Sequence, residues 1–341
     1  MAALALAAAM VPLASSAPAQ AGLSQAGFEA FLPQLEAQAV RSGVSRGTIE
    51  SVFPNLAFSA RTIQLDRAQP GGQPGSNPNP PFAPYRARHV SPALIATGRH
   101  HYAANRSRLM EIGRRYGVTP SVLVAIYGHE TSFGAVTGDF DLLNSLASLA
   151  YEGRRRQLFA DEFVAALKMI DRGVPRSRLK GSWAGATGYP QFLPSVWLRL
   201  AVDGDGDGRA DIWRSEPDAA ASIANYLRNA GWKPGTPWGL AVRVPPGLDR
   251  AALRSTLRAP RCQRVHDRHS RWLTIAEWRR MGLVAQNGLW PRDNEMASLI
   301  EPDGPGATAY LLTTNYRAIL DYNCSNFYAL SVGLLADAIA R

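Results

Sequence analysis

The stretch Val118–Gly134, V-T-P-S-V-L-V-A-I-Y-G-H-E-T-S-F-G, restricts what this chain can become. Val122, Leu123, Ile126 and Tyr127 recur at helical spacing, and apolar residues fill most of the remaining positions. A helix that is apolar nearly all round has no face to give to water, so other elements must enclose it. Thr119 stands as its N-cap and Pro120 as its first helical residue. Thr131, Ser132 and Gly134 end it, and its last turn carries a single carboxylate, Glu130. A glutamate there either reaches water at a frayed end or lies in a desolvated cleft with a raised pKa, as a general acid requires. The stretch alone leaves both open.

At 341 residues the chain is long enough to enclose such a helix, and length suggests two or three domains. With 46% apolar and 19% charged residues, its composition is that of a soluble globular protein. A net charge of +10 suits solubility alone or an anionic polymer partner. The arginines are scattered and no nucleic-acid-binding module is recognisable, so nucleic acid is not the expected partner.

Ala2–Leu13 is an apolar run too short to span a bilayer. Small residues follow it, with Ala17-Pro18-Ala19 or Ala19-Gln20-Ala21 resembling signal-peptidase sites. Residues 1–21 therefore read as a signal peptide lacking its basic start, and the protein as exported to the periplasm. No cysteine lies near this segment, so the expected form is soluble rather than a lipoprotein, without a transmembrane anchor. Cys262 and Cys324 could form one disulfide after export or remain two buried thiols. Cys262, His266 and His269 form a C-x3-H-x2-H cluster, but Arg261, Arg264, Arg268 and Arg271 around it disfavour a metal cation.

In chain order, Ser24 opens a helix whose apolar face is Phe28, Phe31, Leu32, Leu35 and Ala39, and Gly43 stops it. Ser45 opens a short second helix before Pro54. Pro70–Pro84 is dense enough in proline to be a loop or linker. Ser91–Tyr116 reads as one long helix or two joined ones, closed by Gly117. Leu142–Tyr151, Phe159–Asp171 and Asp218–Gly231 are helical, while Ser182–Ser195 (S-W-A-G-A-T-G-Y-P-Q-F-L-P-S) suits a close-packed loop lining a cleft. L-A-V-R-V-P-P and Tyr310–Thr314 read as strands, and Leu273–Gly282 as a helix. Asn315–Arg341 is a closing helical stretch interrupted at Y-N-C-S-N.

The loop Asp203–Trp213, D-G-D-G-D-G-R-A-D-I-W, places carboxylates Asp203, Asp205, Asp207 and Asp211 at positions 1, 3, 5 and 9 of an EF-hand-like calcium loop, with Gly208 at the tight turn. Arg209 takes the position that lends a backbone carbonyl. Arg214 stands where a bidentate glutamate belongs, so Glu216 or Asp218 would have to close the shell. Carboxylates so crowded repel one another without a cation. The expected occupant is a structural Ca²⁺; a solvated acidic turn is the alternative.

Taken together, G-H-E-T-S-F-G, L-K-G-S-W-A-G-A-T-G-Y-P-Q-F-L-P-S, D-G-D-G-R-A-D-I-W, S-I-A-N-Y-L-R-N-A-G-W and L-D-Y-N-C-S-N-F-Y-A-L resemble, in this order, the lytic murein transglycosylases of the membrane-bound lytic transglycosylase B type. They cover Tyr102–Gly239 densely and Asn315–Ala338 more thinly. The resemblance implies a mainly α fold with a lysozyme-like helical catalytic core, flanking helical segments and a small β-containing subdomain. On this chain that gives an N-terminal helical region over 22–117, the core over 118–233, the β-containing part over 234–312 and a closing segment over 313–341 that packs back on the core. It also implies that Glu130 is the catalytic acid and base. Ser182 and Gln191 would line the cleft, Tyr189 and Phe192 would shape its floor, and Tyr226, Tyr322, Asn323 and Tyr328 would hold the glutamate and the sugar. Pro190 stands where the family has a small residue, and Asp218 would be the late calcium ligand.

The implied substrate is the glycan strand of peptidoglycan, with other cell-wall enzymes as unidentified partners and no catalytic cofactor. Most glycosidases use two carboxylates, and only one is convincingly placed here. That fits a substrate-assisted route, in which Glu130 protonates the MurNAc–GlcNAc oxygen, the muramic N-acetyl group stabilises C1, and the C6 hydroxyl closes a 1,6-anhydro ring. Three alternatives remain: a hydrolytic muramidase using Asp139 or Asp141 as second carboxylate, a non-catalytic peptidoglycan-binding protein, and a basic nucleic-acid-binding protein.

Overall fold

The computed structural model describes residues 23–69 and 80–341. The expected signal peptide and most of the Pro70–Pro84 loop lie outside the described residues. Among the described residues, the fold is mainly helical and is built on three apolar cores.

The first core surrounds helix Pro120–Thr131, in which every residue from Ser121 to Gly128 is buried. Helices Pro92–Ala104, Arg106–Tyr116, Glu216–Asn229 and Asn326–Ala340 pack round it. Thr119 occupies the N-cap position as expected, but its side chain caps nothing, and Pro120 needs no donor there. The helix is held by its surroundings rather than its cap. Burial of a side chain such as Leu123 or Ile126, both 0% exposed, contributes about 1.5–3 kcal/mol. Truncating Leu123 to Ala would cost about 2–5 kcal/mol, because the enclosing helices cannot all follow the cavity.

Ser91–Tyr116 resolves into two helices that break at Asn105. The Asn105 amide donates to the His101 carbonyl and to Glu216, which fixes the joint. The second helix ends at Gly117, whose φ of 72° a side-chain-bearing residue rarely adopts. The closing stretch is likewise two helices, Thr314–Tyr322 and Asn326–Ala340, parted at the predicted interruption.

The second core joins helices Gln25–Arg41 and Arg46–Val52 to helices Leu142–Glu152 and Arg156–Asp171, through Phe28, Leu35, Leu142, Leu146 and Phe163. The third lies on an antiparallel sheet of order Leu273–Thr274, Met296–Ile300, Ala309–Thr313, Gly239–Arg243 and Val284–Ala285. Trp278, Val242 and Leu311 are buried against it.

Two boundaries differ from expectation. The Pro-rich loop ends earlier than Pro84, because a helix Ala83–His89 begins there with Pro84 in its first turn. Asp303 serves as its cap in place of a local side chain, accepting from the Phe82 and Ala83 amides at 2.6 and 2.9 Å. The cleft loop ends at Leu193, where helix Pro194–Leu200 starts. Buried Glu162 accepts from both the amide and the hydroxyl of Ser195 at that start. Cys262 and Cys324 form a disulfide with Cα atoms 5.5 Å apart, closing a question the sequence left open. The bond also removes Cys262 as a zinc ligand, and His269 is hydrogen-bonded to Asn326 instead.

Candidate active-site cleft

Glu130 sits in the last turn of the central helix, so its carboxyl leaves the core where the core opens. Burial pushes its pKa up to about 7, opposed by a hydrogen bond from Tyr328. That phenol, 6% exposed, donates to Oε1 at 2.6 Å. It comes from the first turn of helix Asn326–Ala340, where Ser325 caps the Tyr328 amide. Among the described residues, no neighbouring charge contributes to the shift.

The turn after Glu130 explains the motif spacing. Ser132, Phe133 and Gly134 all have positive φ, at 50°, 58° and 84°. This reversal folds the Phe133 ring back over Gly128, where an added Cβ would come within 2.5 Å of the ring. Thr131 ties the turn to the next loop, accepting from the Gly134 amide and donating to the Tyr189 carbonyl.

That loop is a tight ladder in which Thr187 and Phe192 exchange backbone bonds. Ser182 Oγ accepts from the Ala186 amide at 3.1 Å, and the Gln191 amide nitrogen donates to Thr137 and Gly188 carbonyls. Ser182 therefore stiffens the loop itself, and Gln191 both stiffens it and ties it to the Thr137 segment. Tyr189 packs on Tyr127 with ring centroids 5.0 Å apart, and Phe192 is buried 5.8 Å from Tyr226 and 6.0 Å from Tyr322. Tyr322 donates to the Pro190 carbonyl at 2.5 Å, and Tyr226 to the Asp321 carbonyl and carboxylate. Burial raises the pKa of Tyr322 and Tyr328, and the Glu130 charge adds to it in both. Tyr328 thus bonds the glutamate directly and Tyr322 is close enough to feel its charge, while Tyr226 is linked to them through the Tyr322 ring. Asn323 is not among them: it is exposed at the end of helix Thr314–Tyr322, and its side chain makes no hydrogen bond among the described residues.

Two neighbours escaped the sequence reading. Tyr85 stacks on His89 at 3.9 Å, and its pKa is raised by burial and then by the Glu130 charge. The i, i+4 pair in Y-R-A-R-H was its signal, hidden by the adjoining prolines. His129 stacks on His89 at 5.5 Å, and its Nε2 is buried without a partner among the described residues. Burial and then His89 bring its pKa down to about 4. It is neutral at pH 7 and places no cation beside Glu130.

The other two carboxylates near the motif are committed or exposed. Asp141 caps helix Leu142–Glu152 and pairs with Arg176 at 3.1 Å, while Asp139 is exposed.

In the acidic loop, Asp203, Asp205 and Asp218 bring ligand oxygens within 4.8 Å of one another. Asp207 and Asp211 stand outside that group. Asp207 is exposed and Asp211 is tied to Arg214 at 3.3 Å. Asp203 is held below the usual carboxylate range by the Gly206 and Gly208 amides. Asp218 is fully buried, and burial raises its pKa even though the Gly204, Asp205 and Asp211 amides donate to it. Hard oxygen donors crowded at a glycine turn fit a divalent cation such as calcium.

The transglycosylase SLT domain family matches residues 27–337. The membrane-bound lytic murein transglycosylase B of Escherichia coli (strain K12) is 32% identical over 271 residues, 79% of this chain and 70% of that protein. SltB3 from Pseudomonas aeruginosa, solved in complex with NAG-NAM-pentapeptide, superposes with a TM-score of 0.81 at 38% identity, over 92% of this chain and 79% of that one. Slt35 from Escherichia coli, solved in complex with calcium, superposes with a TM-score of 0.73 at 28% identity, over 93% of each chain. The expected class, mainly α with a lysozyme-like core, holds.

Proposed function

The chain belongs to the transglycosylase SLT domain family, and we propose that it is a lytic transglycosylase of peptidoglycan in which Glu130 alone serves as acid and base. One observation carries this: a single carboxyl, at the end of a buried helix, whose pKa burial raises to about 7. A group poised there is protonated often enough to give a proton and ionised often enough to take one back.

In the cleft, the Glu130 carboxyl donates its proton to the glycosidic oxygen between N-acetylmuramic acid and N-acetylglucosamine. The C1–O bond breaks, and the muramic N-acetyl oxygen stabilises the cationic C1. Ionised Glu130 then takes the proton of the muramic C6 hydroxyl, whose oxygen bonds to C1. A 1,6-anhydro ring results, and no water is consumed. Tyr328 fixes the carboxyl through Oε1 and tempers the rise of its pKa. Tyr226 and Tyr322 form an aromatic pair suited to a sugar face, backed by the buried Phe192, with Tyr189, Ser182 and Gln191 holding the loop beneath it. The stretch 118–233 is on this view the catalytic core, 234–312 the small β-containing subdomain and 313–341 the segment that returns Tyr322 and Tyr328 to it.

Asp203, Asp205 and Asp218 would hold a structural calcium, supported by their clustering and by the calcium complex of Slt35. Its charge would relieve the crowded carboxylates and brace the loop that precedes helix Glu216–Asn229. The substrate class puts the site of action in the periplasm. No described helix is long and apolar enough to cross a membrane.

The test is mass spectrometry of soluble products released from sacculi. Wild-type protein should release 1,6-anhydromuramic ends, and Glu130→Gln none. Reducing ends one water heavier would instead make the protein a hydrolase.

A further inference from the structure

The cleft loop is tied down from two sides. On the Glu130 side, Thr131 donates to the Tyr189 carbonyl at 3.3 Å and Tyr322 to the Pro190 carbonyl at 2.5 Å. On the other side, the last residues of the acidic loop reach it twice. The Tyr189 amide donates to the Ile212 carbonyl at 2.8 Å, and the Trp213 indole Nε1 donates to Thr187 Oγ1 at 2.8 Å. Tyr189 is thus held by its amide to the acidic loop and by its carbonyl to the residue that follows Glu130. The two sides belong to different cores. The Glu130 helix lies in the first, whereas Trp213 packs against the second.

Thr187 leaves this joint no slack. It is 0% exposed, and its amide and carbonyl both bond Phe192. Its hydroxyl proton goes to the Lys180 carbonyl at 2.6 Å, so toward Trp213 the oxygen can only accept. At Gly188, where φ is 70°, an added Cβ would meet the Ile212 side chain at 2.7 Å, so the two loops touch without room between them. Trp213 is itself anchored. Its ring centroid lies 6.1 Å from that of Trp197, and its amide donates to Asp211 at 3.1 Å.

We propose that Trp213 is a positioning residue for the reaction at Glu130: its indole N–H fixes Thr187, and with it the height at which the cleft loop holds a sugar beside the carboxyl. The inference rests on the function proposed above and adds to it a residue that works through the loop rather than on the substrate. Reacting atoms must lie about 3–3.5 Å apart, and a misplacement of about 1 Å costs about a hundredfold in rate. A loop hung between two cores needs a tie on each to hold that distance, and the Trp213–Thr187 bond is the tie made by two side chains.

The experiment measures kcat and KM on peptidoglycan glycan strands, at a temperature where thermal melting shows every variant folded. Trp213→Phe keeps an aromatic ring beside Trp197 and removes the N–H. Thr187→Val keeps the side-chain shape and removes the hydroxyl, and Thr187→Ser does the reverse. Trp213→Phe should lower kcat about tenfold with KM near the wild-type value. Thr187→Val should lower kcat at least as far, since the Lys180 bond goes too, and adding Trp213→Phe to it should lower kcat no further. Thr187→Ser should stay near wild type. The falling limb of kcat/KM with pH should not move in any of them, because Glu130 keeps its bond from Tyr328. A wild-type kcat in Trp213→Phe, or losses that multiply in the double variant, would make Trp213 a packing residue and overturn the inference. A wild type that releases no product from the strands would instead overturn the proposed function, and this inference with it.

Discussion

Glu130 and the acidic loop use the same functional group in opposite ways. At Glu130 one carboxyl is taken out of water with a phenol as its hydrogen-bond partner, and it answers by keeping its proton to about pH 7. At Asp203 two glycine amides face the carboxylate, and it gives its proton up more readily than usual. The first arrangement suits a group that must exchange a proton with a substrate. The second suits one that must stay charged beside a cation. Asp218, in the same loop, shows both influences: burial raises its pKa while three backbone amides oppose the rise. What differs is the kind and number of donors: Asp203 accepts from the Gly206 and Gly208 amides, and Glu130 from a single phenol.

The largest effect should come from removing the proton at the first site. Glu130→Gln should lower kcat on the order of a thousandfold or more, measured as anhydro product per enzyme. The same variant should be more stable than wild type at high pH. With a folded pKa of about 7 against 4.5 unfolded, the native state binds the proton more tightly than the unfolded chain. Its contribution is present below the unfolded pKa and is lost as pH rises through the folded one. Glutamine has no proton to lose, so the two proteins should match near about pH 4 and differ by about 3 kcal/mol above about pH 8 in denaturant unfolding. A gap that did not grow with pH would mean that Glu130 is not desolvated.

At the second site the expected change is in stability alone. Calcium at about a hundred times its Kd should stabilise the fold by about 2.7 kcal/mol over the chelated protein, read as a shift in Tm. Asp205→Asn should reduce that shift with little change in the chelated protein. Its Oδ2 accepts from the Ser215 hydroxyl, which can reverse to accept from an amide instead. A melting temperature indifferent to calcium and chelator would remove the metal, and with it one side of the contrast.

Both sites were legible in sequence to different depths. The central helix shows itself because a run apolar on all faces, bounded by Pro120 and Gly134, has one way to be satisfied. The closing helices and their break at Y-N-C-S-N show themselves for the same local reason. The pairing of Leu142–Glu152 with Gln25–Arg41 does not, because side chains that meet across a core leave no mark of each other in the chain. The acidic loop announced its carboxylates but not their grouping. The alternate spacing of Asp203 to Asp211 suggested one shell, whereas the backbone turns Asp207 outward and gives Asp211 to Arg214. Tyr85 and His89 were hidden because proline density was read as loop, although proline in a first turn is compatible with a helix.

The smallest effect would sharpen the contrast most, because it changes one hydrogen bond and leaves burial nearly alone. Tyr328 lowers the Glu130 pKa while burial raises it. Tyr328→Phe keeps the ring against His129 and removes the donor to Oε1. The acid form of Glu130 starts the reaction, so kcat/KM should fall as pH rises through its pKa. In the variant that falling limb should move to higher pH, with a modest loss of rate from the freer carboxyl. Tyr322→Phe is the control: its hydroxyl bonds the Pro190 carbonyl and not Glu130, so its limb should stay where the wild type has it. A limb that moved to lower pH in Tyr328→Phe would mean that the phenol favours the protonated carboxyl. The donor count would then no longer explain why these two carboxylate sites behave differently.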